Sequence, residues 1–192
     1  MKDLIFASNN MHKLEEVRSM LGVKYNIISL KQIGYNQEIP ENQNTLQGNA
    51  LQKARVIYEQ YHKDCFADDT GLEIEALEGR PGVYSARYAG EHCSFEDNMQ
   101  KVLTEMQHQQ NRKACFKTVI ALILNGKEYL FEGRVDGVIL REKHGKDGFG
   151  YDPVFLPDGF DASFAEMSLE QKNAISHRGR AIAKLANFLM NL

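Results

Sequence analysis

The sequence has no surplus of either charge: 23 basic residues face 26 acidic ones among 192, a formal net charge of -3. That balance argues against a broad basic face for coating nucleic acid or for holding a membrane surface, so any polyanion must be bound locally. A cysteine framework is missing too. Cys65, Cys93 and Cys115 are odd in number and widely spaced, with no C-x-x-C pair and no cysteine-histidine pattern suited to zinc. Ordinary reduced thiols are expected. No apolar run approaches the roughly 18 to 20 residues that span a bilayer. The opening MKDLIFASNN carries an apolar run of strand length only, without the longer core and cleavage site of a signal peptide. Low-complexity tracts, fixed-period repeats and a convincing domain boundary are also lacking. A cytoplasmic enzyme is expected, with no nucleic-acid or membrane partner. With 43% hydrophobic residues the chain can bury a sizeable core, as a single domain over residues 1–192 or as two lobes sharing one sheet.

What is present is a clear alternation of elements. Leu4 to Ala7 reads as a short buried strand, and Leu14, Val17 and Leu21 recur at helical spacing after it. Tyr25 to Leu30 reads as a second strand, and a polar loop through Gly34, Pro40 and Glu41 leads to a helix from about Thr45 to Tyr61. Cys65 to Asp68 is a short strand that runs into Asp69, Thr70 and Gly71, which places the acid pair where a strand ends. Ser94 followed by Asp97 resembles a capping box ahead of a third helix. Asn125-Gly126, between FKTVIALIL and KEYLFEGRV, is the strongest hairpin signal, since Asn-Gly readily takes a type I′ turn. Val135 to Leu140 adds a strand, a glycine-rich HGKDGFGYD loop follows, and two helices close the chain, one capped by Ser168 with Gln171 and one from about Ser176 to Met190. Helices and strands alternate early and strands cluster late, which predicts an α/β fold on a mixed central β-sheet flanked by helices.

Four segments could carry chemistry. SNNMHK, Ser8 to Lys13, lies between a strand and a helix, where unpaired backbone N–H groups, a positive dipole end and a lysine can cradle phosphate; the same turn can equally be an ordinary polar connection. In ADDTG, one carboxylate can ligate magnesium while another orients or deprotonates water, although Asp-Thr-Gly is also favourable turn chemistry. FGYD, Phe149 to Asp152, offers an aromatic face for a base inside a flexible loop, or a loop held to the core by Phe149 and Tyr151. Lys172, His177 and Arg178, at a junction of two helices, form a cationic cluster able to bind phosphate or donate to a base oxygen.

Taken in order and spacing, SNNMHK, ENQNTLQGNALQKA, FADDTGLEIEALEGRPGVYSARYAG, FGYDPVF and SLEQKNAISHRGRA resemble the inosine triphosphate pyrophosphatase family of house-cleaning nucleotide hydrolases. The resemblance implies two lobes around a nucleotide-binding cleft and hydrolysis of noncanonical purine nucleoside triphosphates (ITP, dITP, XTP) to the monophosphate and pyrophosphate. It implies Mg2+ as cofactor and a homodimer. Residue by residue, Ser8, Asn9, Asn10 and Lys13 match the phosphate-binding turn, and Lys53 matches a lysine that approaches the phosphates. Glu41 and Asp69 match metal ligands, Asp69 being the catalytic proton acceptor as well. Thr70 matches the neighbouring substrate contact, Phe149, Gly150, Tyr151 and Asp152 the base-binding loop, and Lys172, His177 and Arg178 the C-terminal nucleotide contacts.

The chain departs from that pattern twice. Gly48 stands where the family often has glutamate, and Gln43 where it often has glycine, two residues after the expected ligand Glu41. The first removes a carboxylate, shifting weight onto Asp68, Asp69 and water; the second leaves Glu38, three residues upstream, as a competitor to Glu41. The alternatives are a related pyrophosphatase acting on other modified or ordinary nucleotides, and a nucleotide sensor without turnover.

Overall fold

The computed structural model describes residues 2–191. Its strands are β1 (Lys2–Phe6), β2 (Tyr25–Ser29), β3 (Cys65–Ile74), β4 (Pro81–Gly82), β5 (Lys113–Leu124), β6 (Lys127–Ile139) and β7 (Phe155–Pro157). Its helices are α1 (Met11–Leu21), α2 (Leu46–Tyr61), α3 (Phe95–Glu105), α4 (Leu169–Ile175) and α5 (His177–Met190). The strands form one seven-stranded sheet in the order β2-β1-β3-β5-β6-β7, with β4 on β3. β1 runs parallel to β2 and β3, while β3–β4 and β6–β7 are antiparallel, so the sheet is mixed as expected.

Two expectations are corrected. The acid pair does not end a strand: β3 continues from Cys65 through Asp68, Asp69, Thr70 and Gly71 to Ile74. Buried neighbours on both faces outweigh the turn preference of Asp-Thr-Gly. Likewise Val135 to Leu140 is no separate strand, because β6 runs unbroken to Ile139. The hairpin itself is present, with φ of 51° at Asn125 and 76° at Gly126 as a type I′ turn requires. The capping boxes at Ser94/Asp97 and Ser168/Gln171 both form.

The polypeptide divides into two compact units, residues 1–69, 118–133 and 178–192 in the first and 70–117 and 134–177 in the second. In the first, Leu14, Val17 and Leu21 of α1 and Ala181, Ile182 and Leu185 of α5 pack with Leu4, Phe6, Phe66, Ile120 and Leu122. Cys65, the neighbour of Phe66, meets α2 by donating from Sγ to the Ala54 carbonyl at 3.2 Å. Successive side chains on a strand point to opposite faces, so α1 and α5 cover one side of β3 and α2 the other. In the second unit, Met99 and Val102 of α3 and Met106 just after it join Leu72, Ile74, Phe116, Val135, Phe155 and Phe164 in a separate core.

Candidate active site

The alternation along β3 separates the two acids. Asp68 shares its face with Phe66 and meets α1 and the start of α5: Lys13 Nζ donates to its Oδ1 and Arg178 Nε to its Oδ2, each at 3.0 Å. Arg178 is 2% exposed, and its Nη1 donates to the buried carboxylate of Glu16 in α1. Burial works against charge on Asp68, but Lys13 and Arg178 overcome it and hold the carboxyl well below its usual range. Burial likewise opposes the Arg178 charge, and Glu16 and Asp68 reverse it. On Lys13 burial prevails over the attraction of Asp68, and its affinity for a proton is lowered.

Asp69 points the other way, toward α2. Asn49 Nδ2 donates to Asp69 Oδ2 at 3.0 Å, and Lys53 Nζ lies 3.4 Å from Asp69 Oδ1. The same ammonium donates to Glu41, so the two expected metal ligands converge on one positive charge. Glu38 is exposed, whereas Glu41 reaches the Asp69 cluster. Burial raises the proton affinity of Asp69; Lys53 and Lys13 offset only part of it, Glu41 adds to it, and the carboxyl ends above its ordinary value. Burial opposes the Lys53 charge, but Asp69 and Glu41 overcome it and the lysine is raised.

Among the described residues no group of three or more His, Cys, Asp or Glu side chains forms a complete metal cage. Two hard oxygen donors meeting at a point that already holds a cation do suit magnesium, which commonly takes one or two carboxylates and completes its shell with water and phosphate oxygens.

The turn before α1 is organised by its own side chains. The Asn10 N–H donates to Ser8 Oγ at 3.2 Å, and Asn10 Oδ1 caps the helix by accepting from the Lys13 N–H at 3.2 Å. Asn9 is exposed. These bonds hold the turn in shape and aim the Lys13 side chain toward Asp68.

In the second unit Asp152 organises the expected base-binding loop. Its Oδ2 accepts from the Phe149 N–H at 2.8 Å and from Lys172 Nζ at 2.7 Å, and that ammonium lies 4.7 Å from the centroid of the Phe149 ring. Phe149 is partly exposed, and Gly150 adopts a φ of 63°. Tyr151 is 5% exposed and donates its hydroxyl to the Ser85 carbonyl at 2.8 Å, so of the two aromatic residues this one anchors the loop to the core. His177, 4% exposed, stacks on Phe116 at 4.5 Å with planes 13° apart. Thr70 is half-buried, one residue beyond Asp69.

Two residues of the cluster carried no sequence expectation. Glu16 and Asn49 are both buried, and each sits among apolar positions of an amphipathic helix, Glu16 beside Val17 and Asn49 beside Ala50. A polar residue at the edge of a buried stripe was the available signal.

Comparison with known proteins adds an independent line. A model of the Ham1 family matches residues 4–188. A protein named dITP/XTP pyrophosphatase from Flavobacterium psychrophilum is 53% identical over 188 residues, covering 98% of this chain and 99% of its own length. One of the same name from Bacillus subtilis is 42% identical over 193 residues, covering 98% of both. Among solved structures, a HAM1 protein from Coxiella burnetii superposes with a TM-score of 0.91 at 37% identity, covering 100% of both chains. The Staphylococcus aureus Ham1 protein gives 0.89 at 38% identity, covering 99% of both.

Proposed function

The chain belongs to the Ham1 family, and from that premise we propose that it hydrolyses noncanonical purine nucleoside triphosphates, ITP, dITP and XTP, to the nucleoside monophosphate and pyrophosphate. The observation that carries the chemistry is the Asp69 carboxylate, buried, raised in proton affinity and held by Asn49 and Lys53 beside Glu41. A buried carboxylate fixed in orientation by its neighbours is suited to accept a proton from water attacking the α-phosphorus.

Charge balance explains the rest of the requirement. Lys13, Lys53 and Arg178 bring three positive charges, and Glu16, Glu41, Asp68 and Asp69 bring four negative ones, so this cluster is formally at -1 before substrate. A triphosphate adds about four more negative charges. Mg2+ held by Glu41 and Asp69 would supply neutralisation of phosphate oxygens and of the charge gathering on the leaving pyrophosphate. Lys13 and Lys53 bind phosphate, with Lys53 giving up its bridging place between the two carboxylates. Ser8, Asn9, Asn10 and Thr70 complete the contacts to the polyphosphate in this reading.

Base recognition belongs to Phe149, Gly150, Tyr151 and Asp152, with Lys172 and His177. Phe149 offers the ring face, Tyr151 and Asp152 hold the loop, and N–H donors at the 6-oxygen would leave an adenine amino group unmatched, a mismatch worth orders of magnitude in rate. Arg178 has Nε and Nη1 engaged with Asp68 and Glu16, so its role here is chiefly to fix the acid that positions Lys13.

The test is pyrophosphate release with and without Mg2+ over XTP, dITP, ITP, ATP and GTP. Strong Mg2+-dependent release from the first three supports the reading, and release of orthophosphate, or equal rates on ATP, would refute it. A cytoplasmic homodimer is part of the same proposal, and light scattering should find twice the 21.9 kDa chain mass. No helix among the described residues is long and apolar enough to cross a membrane.

A further inference from the structure

The loop bearing Glu41 is laced to α2 at three successive residues. Glu41 takes the Lys53 ammonium. Asn42 receives Gln52 Nε2 on its Oδ1 at 2.8 Å and donates its own N–H to Gln52 Oε1 at 3.3 Å. The Gln43 N–H donates to Asn49 Oδ1 at 2.9 Å. Asn49 is 1% exposed, and the other end of its amide is the group that donates to Asp69 Oδ2. One planar side chain thus touches the loop with its acceptor and Asp69 with its donor.

Gly48 makes that approach available. A Cβ at residue 48 would stand 2.8 Å from Gln43 Cβ and 3.0 Å from Thr45 Oγ1, so a side chain there would displace the loop. The two departures from the family pattern, Gln43 and Gly48, are therefore one structural change. The space that a larger residue at 48 would need is filled by the side chain of Gln43.

We propose that Asn49 is a positioning residue that couples docking of the Glu41 loop to the orientation of Asp69, with Gly48 and Gln43 forming the contact that permits it; the inference rests on the hydrolytic reading above. Asn49 fixes Asp69 Oδ2, which turns Oδ1 toward the point where Lys53 and Glu41 meet. A shift of the loop at Gln43 is transmitted to Asp69 through this amide, alongside the Lys53 bridge from Glu41.

Two readouts on the intact protein test this, amide hydrogen exchange at Gln43 followed by NMR without substrate, and steady-state hydrolysis of XTP. Asn49→Asp keeps an acceptor for Gln43 and loses the neutral amide donor; it should retain protection at Gln43 while kcat falls about 10–100-fold with KM much less changed. Asn49→Ala should lose both. Gly48→Ala supplies an arm that leaves Asn49 in place: exchange at Gln43 should quicken and kcat fall, and adding Gln43→Gly should restore both. Wild-type kcat in Asn49→Asp, unchanged exchange at Gln43 in Gly48→Ala, or no rescue by Gln43→Gly would overturn the coupling. If the unaltered protein releases no pyrophosphate from XTP, the hydrolytic reading fails instead, and the exchange data still report on the contact.

Discussion

Asp68 and Asp69 are the same side chain on consecutive residues, yet their surroundings move their proton affinities in opposite directions. The contrast yields two predictions with opposite signs. The Asp68 carboxyl is depressed, so its stabilising contribution is present above the ordinary carboxylate range and is lost as pH falls through its folded value. Asp68→Asn leaves Arg178 and Lys13 undercompensated in a buried place, and should cost about 3 kcal/mol at pH 7, a melting temperature lower by roughly 6–12 °C for a chain of this size. The gap to the unaltered protein should narrow in thermal melts below the ordinary carboxylate range. The Asp69 carboxyl is raised, so its ionised form costs stability at neutral pH and any stability linked to it is lost as pH rises through its folded value. Asp69→Asn should abolish turnover while changing the melting temperature at pH 7 much less than Asp68→Asn, because relief of a buried carboxylate charge offsets the weaker pairing of Lys53. Near-normal turnover in that variant would remove Asp69 from the chemistry.

The elements show what could be read in advance and what could not. Helices α1, α2 and α3 and the β5–β6 hairpin follow from apolar spacing, capping residues and Asn-Gly, all of them local signals. β3 is harder, because the stretch Asp68 to Gly71 has turn chemistry, and only its neighbours in the sheet keep it extended. The pairing of Asp68 with Arg178 spans 110 residues and leaves no mark on local pattern. Glu16 and Asn49 belong to the same class, visible as polar interruptions but without an assignable partner. The FGYD loop was legible through resemblance, yet the division of labour within it, Phe149 partly exposed and Tyr151 buried, needed coordinates. Gly148 belongs to this loop, with a φ of 77°, and a Cβ added there would stand only 2.3 Å from Asp152 Oδ2. Gly148→Ala should displace that carboxylate from Lys172 and the Phe149 N–H, and raise KM for XTP by about tenfold with a smaller change in kcat, the pattern for lost binding shared by ground and transition states. An unchanged KM would separate the loop from substrate.

For the whole molecule, weak net charge and strong local charge are compatible because the buried ionised groups lie in clusters where opposite charges meet. One cluster in the first unit sets three cations against four carboxylates, and in the second unit Lys172 meets Asp152 beside the Phe149 ring. Such a protein should bind a metal-complexed triphosphate and show little affinity for oligonucleotides at physiological salt. In the proposed reaction water attacks the α-phosphorus with Asp69 as proton acceptor. Hydrolysis of XTP in 18O-labelled water, with the products resolved by mass spectrometry, tests it most directly: the label should enter the nucleoside monophosphate and leave pyrophosphate unlabelled. Label in pyrophosphate, or in released orthophosphate, would contradict it.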